Sequence, residues 1–568
     1  MTYQVITGTL KARTAVHVGS GVGGDLTDAL LRRDAAGQPI IPGTTIAGTL
    51  RTLATRLAPR LGSKICAALK DPDDRDSRAS CDCAVCHLFG DLNPSDAEDA
   101  NSEASRILVF NARLKDDTPQ TFIRDGVGID RVTGAAARAG GVKFDLEVLP
   151  AETKFEFRLE LRDVDEGDKR LLVAVLAEWQ AGRAWLGSNV ARGLGAFELC
   201  EDVAYKTLAL DADGLLTFLK EDEPWQAAEP QANWLRDRVA LVQITPPAEE
   251  NRHVARRWVT IEGTLQAGGP LLTNDATTSG QTGFDHAPLL AQLGDWQCPV
   301  LAGSGLRGVL RSHAERIART LATRNADGKD AFLRTCPACS PVESRADEPL
   351  ASCDALLRGE VSTSDEVSDD HLCLACRLFG STRRGSRLLV EDALYQPTEM
   401  QSKPVLKMMD FLAIDRFTGG GAEGAKFDAL ALWKPAFKLR LHLENPAAWE
   451  LGWLALVLRD LQAGWLTVGF GAAKGFGRVK LSDWTVRLGY LHSDDWPDAA
   501  PLGKGQQDGV YTRIDLRDAA EDWLRLAKGW VDEFARKVNS FNRLETTWLK
   551  ADNYFDGLIE KLYPQEVA

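Results

Sequence analysis

Apolar residues follow two periods along most of the chain, one typical of β-strands and one typical of α-helices. Segments 5–18, 154–161 and 437–443 alternate apolar with polar residues in part or throughout, as antiparallel strands with one solvated face do. Helical spacing joins two groups of apolar residues, namely Ile46, Leu50, Leu53, Leu57 and Leu61, and Leu306, Leu310, Ile317 and Leu321. The pattern therefore predicts an α+β fold in which strands and helices pack together.

The same motifs occur twice and in the same order between the start of the chain and about residue 480. The matched segments are 8–10 with 263–265, 42–48 with 302–308, 83–90 with 373–380, 129–134 with 414–419, 143–145 with 426–428, and 192–195 with 474–477. Collinear matches of this kind indicate a duplicated domain. The repeat alone leaves open a duplicated scaffold without shared chemistry.

Each copy reads as strand, loop, helix, insertion, hairpin, strand, helix and strand. This order predicts two tandem ferredoxin-like domains, similar in plan to RNA-recognition motifs, at residues 1–200 and 255–490. Residues 201–254 are predicted to be a linker, and residues 491–568 an acidic segment followed by a helical C-terminal tail. The tail carries an apolar stripe at Trp523, Leu526, Trp530 and Phe534.

Composition and charge narrow the function classes. The 568 residues are 44% hydrophobic and 26% charged, and no apolar run approaches the roughly 18 residues of a membrane span. We therefore expect a cytoplasmic protein without a membrane partner. The net charge of -14 argues against non-specific DNA binding, although segments 51–64 and 307–324 are locally basic. A basic helix face is often simply solvated, but its recurrence in both copies favours a binding role.

The eleven cysteines cluster in a way that predicts metal binding rather than disulfides. The first half offers Cys66, Cys81, Cys83 and Cys86, a set that suits tetrahedral zinc. The second half offers six candidates, which are Cys336, Cys339, Cys353, His371, Cys373 and Cys376. The spacing leaves open which four of them bind. We expect two structural Zn²⁺ ions that staple the insertions, because no motif supplies the general base of a catalytic zinc site.

Several of these motifs, taken together, resemble a known family. They are Asp28-x5-Asp34, the Pro-Gly-rich segment 39–48, Cys83-x-x-Cys86 with Leu-Phe-Gly, Ile-Asp-Arg-x-Thr-Gly at 129–134, and Arg-Gly-x-Gly at 192–195. In this order they resemble the RAMP superfamily and, more narrowly, the backbone subunits of type III CRISPR effector complexes, here as two fused copies. The resemblance does not cover the linker or the tail.

The resemblance implies a surface that cradles guide RNA and a thumb-like hairpin in each copy, at 129–144 and 414–427. Glycine turns that open basic helices also present main-chain N–H groups to phosphates. The residues expected to bind RNA are His17, Gly43, Gly48, Arg51, Arg131, Lys143, Arg192, Gly193, Gly303, Arg307, Gly308, Arg311, Arg416, Lys426, Lys474 and Gly475. A role for His17 is expected in the first copy only, because the second copy has Leu272 there.

The resemblance also implies catalysis by a loop aspartate. Asp28 matches the family position, and Asp285 lies in the corresponding loop of the second copy. Such a carboxylate holds Mg²⁺ or another divalent cation, or helps to deprotonate the 2′-hydroxyl of the target. No second carboxylate is evident in both copies from sequence.

These observations predict a tandem backbone subunit, working with other CRISPR effector subunits, that binds guide RNA and acts as a metal-dependent endoribonuclease on complementary target RNA. A non-catalytic guide-RNA scaffold is the nearest alternative. A zinc-stapled protein-interaction module is the alternative from another class, and the paired basic helices count against it.

Overall fold

The computed structural model describes most of the chain. The residues described are 2–24, 27–66, 83–91, 103–116, 118–131, 134–137, 143–246, 254–341, 350–358, 367–399, 401–497, 505–517 and 521–543. Strands and helices are mixed throughout them, so the fold is of the α+β kind, as the periodicities predicted.

Within the described residues, the first half contributes eleven strands and six α-helices. The strands are β1 (Thr2–Ala12), β2 (Ile40–Ile41), β3 (Ile107–Val109), β4 (Ala112–Arg113), β5 (Phe122–Val127), β6 (Lys143–Val148), β7 (Lys154–Leu161), β8 (Ala184–Trp185), β9 (Ala196–Leu199), β10 (Ala204–Ala209) and β11 (Glu229–Gln231). The helices are α1 (Gly43–Leu57), α2 (Ala84–Phe89), α3 (Glu166–Gln180), α4 (Ala212–Lys220), α5 (Pro224–Ala227) and α6 (Trp234–Val239).

One antiparallel sheet organises this half. β1 pairs with β7 on one side and with β9 and β10 on the other, and β3 extends the sheet beyond β7. The alternation in β7 has the expected cause: Phe155, Phe157 and Leu159 are buried, while Lys154 and Glu156 are exposed. The buried side chains of β7 lie in one core with those of α1 and α3.

The second half repeats this plan, and some of its elements are longer. Its strands are β12 (Arg257–Ala267), β13 (Pro270–Leu271), β14 (Leu290–Leu293), β15 (Trp296–Leu301), β16 (Leu388–Val390), β17 (Ala393–Leu394), β18 (Leu406–Ile414), β19 (Gly421–Trp433), β20 (Ala436–Glu444), β21 (Val479–Tyr490), β22 (Gln506–Asp508) and β23 (Tyr511–Arg517). Its helices are α7 (Ala276–Thr282), α8 (Gly303–Asn325), α9 (Lys329–Thr335), α10 (Cys353–Leu357), α11 (Leu374–Phe379), α12 (Ala448–Gln462) and α13 (Glu521–Asn539).

The main sheet of this half has the order β16-β20-β12-β21-β23-β22. Short 3-10 helices occupy Ala58–Leu61, Val190–Arg192, Asp369–His371, Ala472–Lys474 and Ser493–Asp495. A separate hairpin projects from each half, formed by β5 and β6 in the first and by β18 and β19 in the second. The segments expected to be thumbs, 129–144 and 414–427, lie towards the ends of these hairpins, and residues 132–133 and 138–142 lie outside the described residues. Their role as thumbs stays a prediction.

The segment predicted as a linker is built onto the first half. β10 pairs with β1, and the ring of Tyr205 stacks on that of Trp234 in α6 at 4.7 Å. The tail is built onto the second half: Trp523, Leu526 and Trp530 are buried, and Phe534 stacks on Trp453 of α12 at 5.1 Å. The apolar stripe of the tail therefore completes a core. Its acidic segment also contains β22 and β23, which the sequence pattern did not predict.

The two halves share a buried interface. Arg60 donates two hydrogen bonds to the Asp495 carboxylate, at 2.9 and 2.8 Å, and both side chains are fully buried. Trp258 and Tyr511 from the second half lie in the core of the first. The relative placement of the halves is thus held by packing as well as by the connecting chain.

Candidate nucleic-acid interface and metal centres

The loop aspartates Asp28 and Asp285 occupy equivalent places in the two halves. The Asp145 main-chain N–H donates to Asp28 Oδ2 at 2.9 Å, and the Asp428 N–H donates to Asp285 Oδ2 at 2.9 Å. In both halves the residue after the loop aspartate forms a parallel bridge with the returning strand of the hairpin. Each loop is therefore tied to the base of its own hairpin, with its aspartate exposed.

Further acids lie beside each loop aspartate, and the sequence analysis missed them. Asp145 faces Asp125 across β5 and β6, and Asp428 faces Asp410 across β18 and β19. Burial and a hydrogen bond with Asp145 raise the pKa of Asp125. The repeated Lys-Phe-Asp motif contained the signal, but only the pairing of strands shows that its aspartate reaches the loop.

Four cysteines of the second half converge. Their Sγ atoms lie within 4.8 Å of one another, and all four side chains are buried: Cys339, Cys353, Cys373 and Cys376. Cys336 instead directs its Sγ to the Ala338 carbonyl at 3.3 Å, and His371 Nδ1 accepts from the Ser368 N–H at 3.1 Å. The set that could bind zinc here is therefore four thiols, drawn from the six candidates.

A second cysteine cluster lies in the first half. Cys66 Sγ is 3.4 Å from Cys86 Sγ and 3.6 Å from Cys83 Sγ. Cys81, the fourth predicted ligand, lies outside the described residues. The three described thiols are close enough to bind one ion.

An arginine lies beside each cysteine cluster at an equivalent helical position. Arg51 of α1 donates to Cys86 Sγ at 3.4 Å, and Arg311 of α8 donates to Cys376 Sγ at 3.5 Å. A guanidinium in this position stabilises the negative charge of thiolates. Arg311 is also buried and pairs with Glu315 at 2.8 Å. RNA binding by Arg51 and Arg311 stays a prediction.

Arginines from both halves meet at the start of α8. Burial and the positive charges of Arg311, Arg192 and Arg131 lower the pKa of Arg307 to about 9. Arg307 Nε is buried without a hydrogen-bond partner among the described residues. Glu315 offsets part of this charge through its 3.1 Å contact with Arg131. The remaining positive potential favours an anionic group at this point.

The glycines predicted to bind RNA fall into two groups, those packed closely against other residues and those with open space around them. The Gly43 N–H donates to Asn111 at 2.8 Å, and the Gly303 N–H donates to Asp392 at 2.8 Å, so both helix starts are capped by side chains. A Cβ on Gly193 would lie 2.8 Å from Gly303 Cα, which shows close packing of the two turns across the interface. At three other predicted positions, Gly48, Gly308 and Gly475, a Cβ would meet no atom of the described residues within 4 Å.

The other predicted RNA-binding residues differ in exposure. His17 is buried, and its Nδ1 lies 2.6 Å from the Glu147 carbonyl oxygen. The side chains of Lys143 and Lys426 are 66% and 69% exposed, which leaves them accessible to a ligand. Arg416 is exposed beside Phe417 near the end of the second hairpin. Lys474 Nζ lies 4.3 Å from the centre of the Phe427 ring.

Comparison with known families accounts for the repeat. The model of the RAMP superfamily matches residues 9–198 and 276–480, once in each half and together over more than half of the chain. The chain belongs to the RAMP superfamily. The two RAMP regions contain Asp28 and Asp285, respectively.

One relative carries a more specific name. The CRISPR system Cms endoribonuclease Csm3 of Methanocaldococcus jannaschii is 27% identical over 202 residues, which make up 34% of this chain and 76% of that protein. The alignment is about the size of one RAMP region rather than two. At this identity the similarity supports a coarse functional class, not particular residues.

In the part of the chain that the structure describes, no helix is both long enough and apolar enough to cross a bilayer.

Proposed function

We propose that the protein is a tandem backbone subunit of a type III CRISPR RNA-guided effector complex, which binds guide RNA and cleaves complementary target RNA with Asp28 and Asp285. One observation carries the proposal. Two RAMP regions each place an exposed loop aspartate on the base of a hairpin through the same 2.9 Å main-chain hydrogen bond. The name of the Csm3 relative, a CRISPR endoribonuclease, supports this reading.

The domain plan belongs to the same proposal. The strand orders β9-β1-β7-β3 and β21-β12-β20-β16 are antiparallel and support a ferredoxin-like core in each half. The domains then take residues 1–200 and 255–490. The connector at 201–254 attaches to the first domain through β10, and the tail at 491–568 attaches to the second through α13.

Guide RNA is proposed to bind across both domains. The arginine group of Arg131, Arg192, Arg307 and Arg311 combines residues from the two halves. Its Arg307 Nε is buried and has no hydrogen-bond partner among the residues that the structure describes. Sequence-independent RNA recognition goes mainly to phosphates and 2′-hydroxyls. This group is therefore where we expect a guide phosphate, while the exposed lysines of the hairpins contact the paired target.

The proposed chemistry is an intramolecular transesterification of the target strand. The 2′-hydroxyl attacks the adjacent phosphorus, and the bond between phosphorus and the 5′-oxygen breaks. Asp28 or Asp285 accepts the proton of the 2′-hydroxyl, and water donates a proton to the departing 5′-oxygen. The products are a 2′,3′-cyclic phosphate and a 5′-hydroxyl. The hairpin beside each aspartate is proposed to hold the target in line for the attack.

A divalent cation fits these loops by ligand type. Mg²⁺ prefers carboxylate oxygens, and the residues that would hold it are the exposed Asp28 in the first half and Asp285 in the second. When bound, the cation would stabilise negative charge on the reacting phosphate.

Two Zn²⁺ ions are proposed as structural staples. The four buried thiols at Cys339, Cys353, Cys373 and Cys376 match a closed tetrahedral site. The cluster at Cys66, Cys83 and Cys86 fits the same ion, with Cys81 as the proposed fourth ligand. Arg311 and Arg51 lie beside them and would balance the charge of the bound thiolates.

The test is cleavage of a labelled RNA complementary to the guide that co-purifies with the full complex, in the presence of magnesium. We expect Asp28→Ala and Asp285→Ala each to remove a different product, and the double variant to remove both, while guide RNA is retained. Asp222→Ala, an exposed acid in the connector, is the matched control. Identical cutting by all variants would show that another subunit cuts, and absence of cutting by the wild type would leave only a scaffold.

A further inference from the structure

We propose that Asp428 is a positioning residue for Asp285, whereas Asp145 contributes only its main-chain N–H to Asp28. The inference rests on the proposed function, because it concerns how the cleaving carboxylates are held.

In the second half the two aspartates hold each other. The Asp428 N–H donates to Asp285 Oδ2 at 2.9 Å, and the Asp285 N–H donates to Asp428 Oδ1 at 2.9 Å. These reciprocal bonds join residues that are 143 positions apart, one in the loop and one in β19. Together they fix both the side chain and the main chain of the loop aspartate.

The first half makes only part of this arrangement. The Asp145 N–H donates to Asp28 Oδ2, but among the described residues no bond returns from the Asp28 N–H to the Asp145 carboxylate. The Asp145 side chain instead faces Asp125, and its Oδ1 is buried with no hydrogen-bond partner in the part of the chain that the structure describes.

The different hydrogen bonds in the two halves affect how firmly each catalytic aspartate is held. An exposed loop aspartate has free rotamers and a mobile main chain, whereas a proton acceptor must stay within hydrogen-bond reach of the 2′-hydroxyl. Loss of the Asp428 acceptor would free the main chain of Asp285 but leave the other bond, which belongs to the main chain of residue 428. The expected result is a looser catalytic loop in an otherwise folded protein.

The test compares Asp428→Ala with Asp428→Asn in the guide-loaded complex, using single-turnover rates for each product at saturating target. Asparagine keeps an Oδ1 acceptor and loses the charge, whereas alanine loses both. We expect Asp428→Ala to slow the second cut by roughly 10- to 100-fold without changing target affinity, as a displacement of about 1 Å can do. Asp428→Asn should restore most of the rate.

Further variants separate this inference from the proposed function. The first cut should be unchanged in both Asp428 variants, and Asp145→Ala should slow the first cut by less than Asp428→Ala slows the second. Asp428→Ser replaces Asp428→Ala if the latter loses its guide RNA.

Normal second cutting by Asp428→Ala, while Asp285→Ala abolishes that product, would overturn the inference alone. An asparagine variant as slow as alanine would also overturn it, since the effect would then come from charge. A wild-type complex that cuts nothing would overturn both proposals.

Discussion

The two hairpins come from one repeated sequence but are held in different ways. In the first, Arg124 forms a bidentate ion pair with Asp392 of the second half. Its two hydrogen bonds measure 3.2 and 2.9 Å, and both side chains are almost fully buried. In the second, the equivalent strand β18 is exposed along most of its length, and Phe417 is 99% exposed. The same hairpin is therefore an interface element in one copy and a free surface in the other, according to what lies next to it.

The cysteine clusters differ in a related way. All four thiols of the second cluster lie in the main core of their half, which also contains α12 and the C-terminal helix α13. In the first cluster Cys66 is only partly buried. The second cysteine cluster is thus more deeply buried than the first, and mutation of each cluster can test whether their contributions to stability differ.

The largest effect is expected from Cys373→Ser. It would remove a ligand at the centre of the second half, and structural zinc contributes on the order of 10 kcal/mol to the folding of small metal sites. We expect one zinc fewer per chain and loss of cooperative unfolding for the second half, measured by elemental analysis and calorimetry. Cys83→Ser should lose one zinc with a smaller change. Cys298→Ala, a buried thiol outside both clusters, should keep both ions; equal metal content in all variants would contradict the assignment.

A smaller effect is expected from Arg124→Met. Removing one partner of a buried ion pair typically costs about 3–5 kcal/mol, because the other charge stays buried. The matched control is Lys426→Met in the second hairpin, whose pair with Asp410 is exposed and should contribute less than about 1 kcal/mol. Urea unfolding of both variants measures the contrast. Equal losses would show that the two hairpins are held alike.

An effect of intermediate size is expected on the pH dependence of stability, and it comes from Glu450 in α12. Burial raises the pKa of Glu450 to about 6 from its ordinary 4.5, with Arg387 opposing the shift. The folded state then binds the proton more tightly than the unfolded state, so this contribution is present below pH 4.5 and is lost as pH rises towards 6. It amounts to about 2 kcal/mol.

Glu450→Gln should remove this part of the pH dependence, measured as the difference in unfolding free energy between wild type and variant from pH 4 to 7. Glu521→Gln, a change at an exposed acid of α13, should leave the profile unchanged. A wild-type stability that rises relative to Glu450→Gln across this window would contradict the assignment.

The smallest effect on stability is expected from Phe417→Ala. An exposed side chain away from packing contacts usually changes stability by less than about 0.5 kcal/mol. If the second hairpin contacts target RNA, the same variant should weaken target cleavage, which product-resolved assays on the guide-loaded complex would show. Unchanged cutting would mean that this residue contributes nothing to the target contact.

Local sequence patterns predicted much of the fold. The strand β7 and the apolar stripe of α13 follow from residue periods that need no knowledge of the rest of the chain. The loop aspartates were predicted from the family resemblance, which implied Asp28 and, through the corresponding loop of the second copy, Asp285. The strands β22 and β23 were missed, since three- and seven-residue segments in an acidic region carry little periodic signal.

The sequence by itself determined the duplication, the main strands and helices of each copy, and the cysteines available as ligands, because repeats, periods and spacings are local properties. Only the tertiary structure decided that Cys336 turns away from the second cluster and that Asp428 reaches Asp285. It alone joined Arg124 to Asp392 across 268 positions. Such contacts depend on how strands pair and halves pack, and no spacing along the chain encodes them.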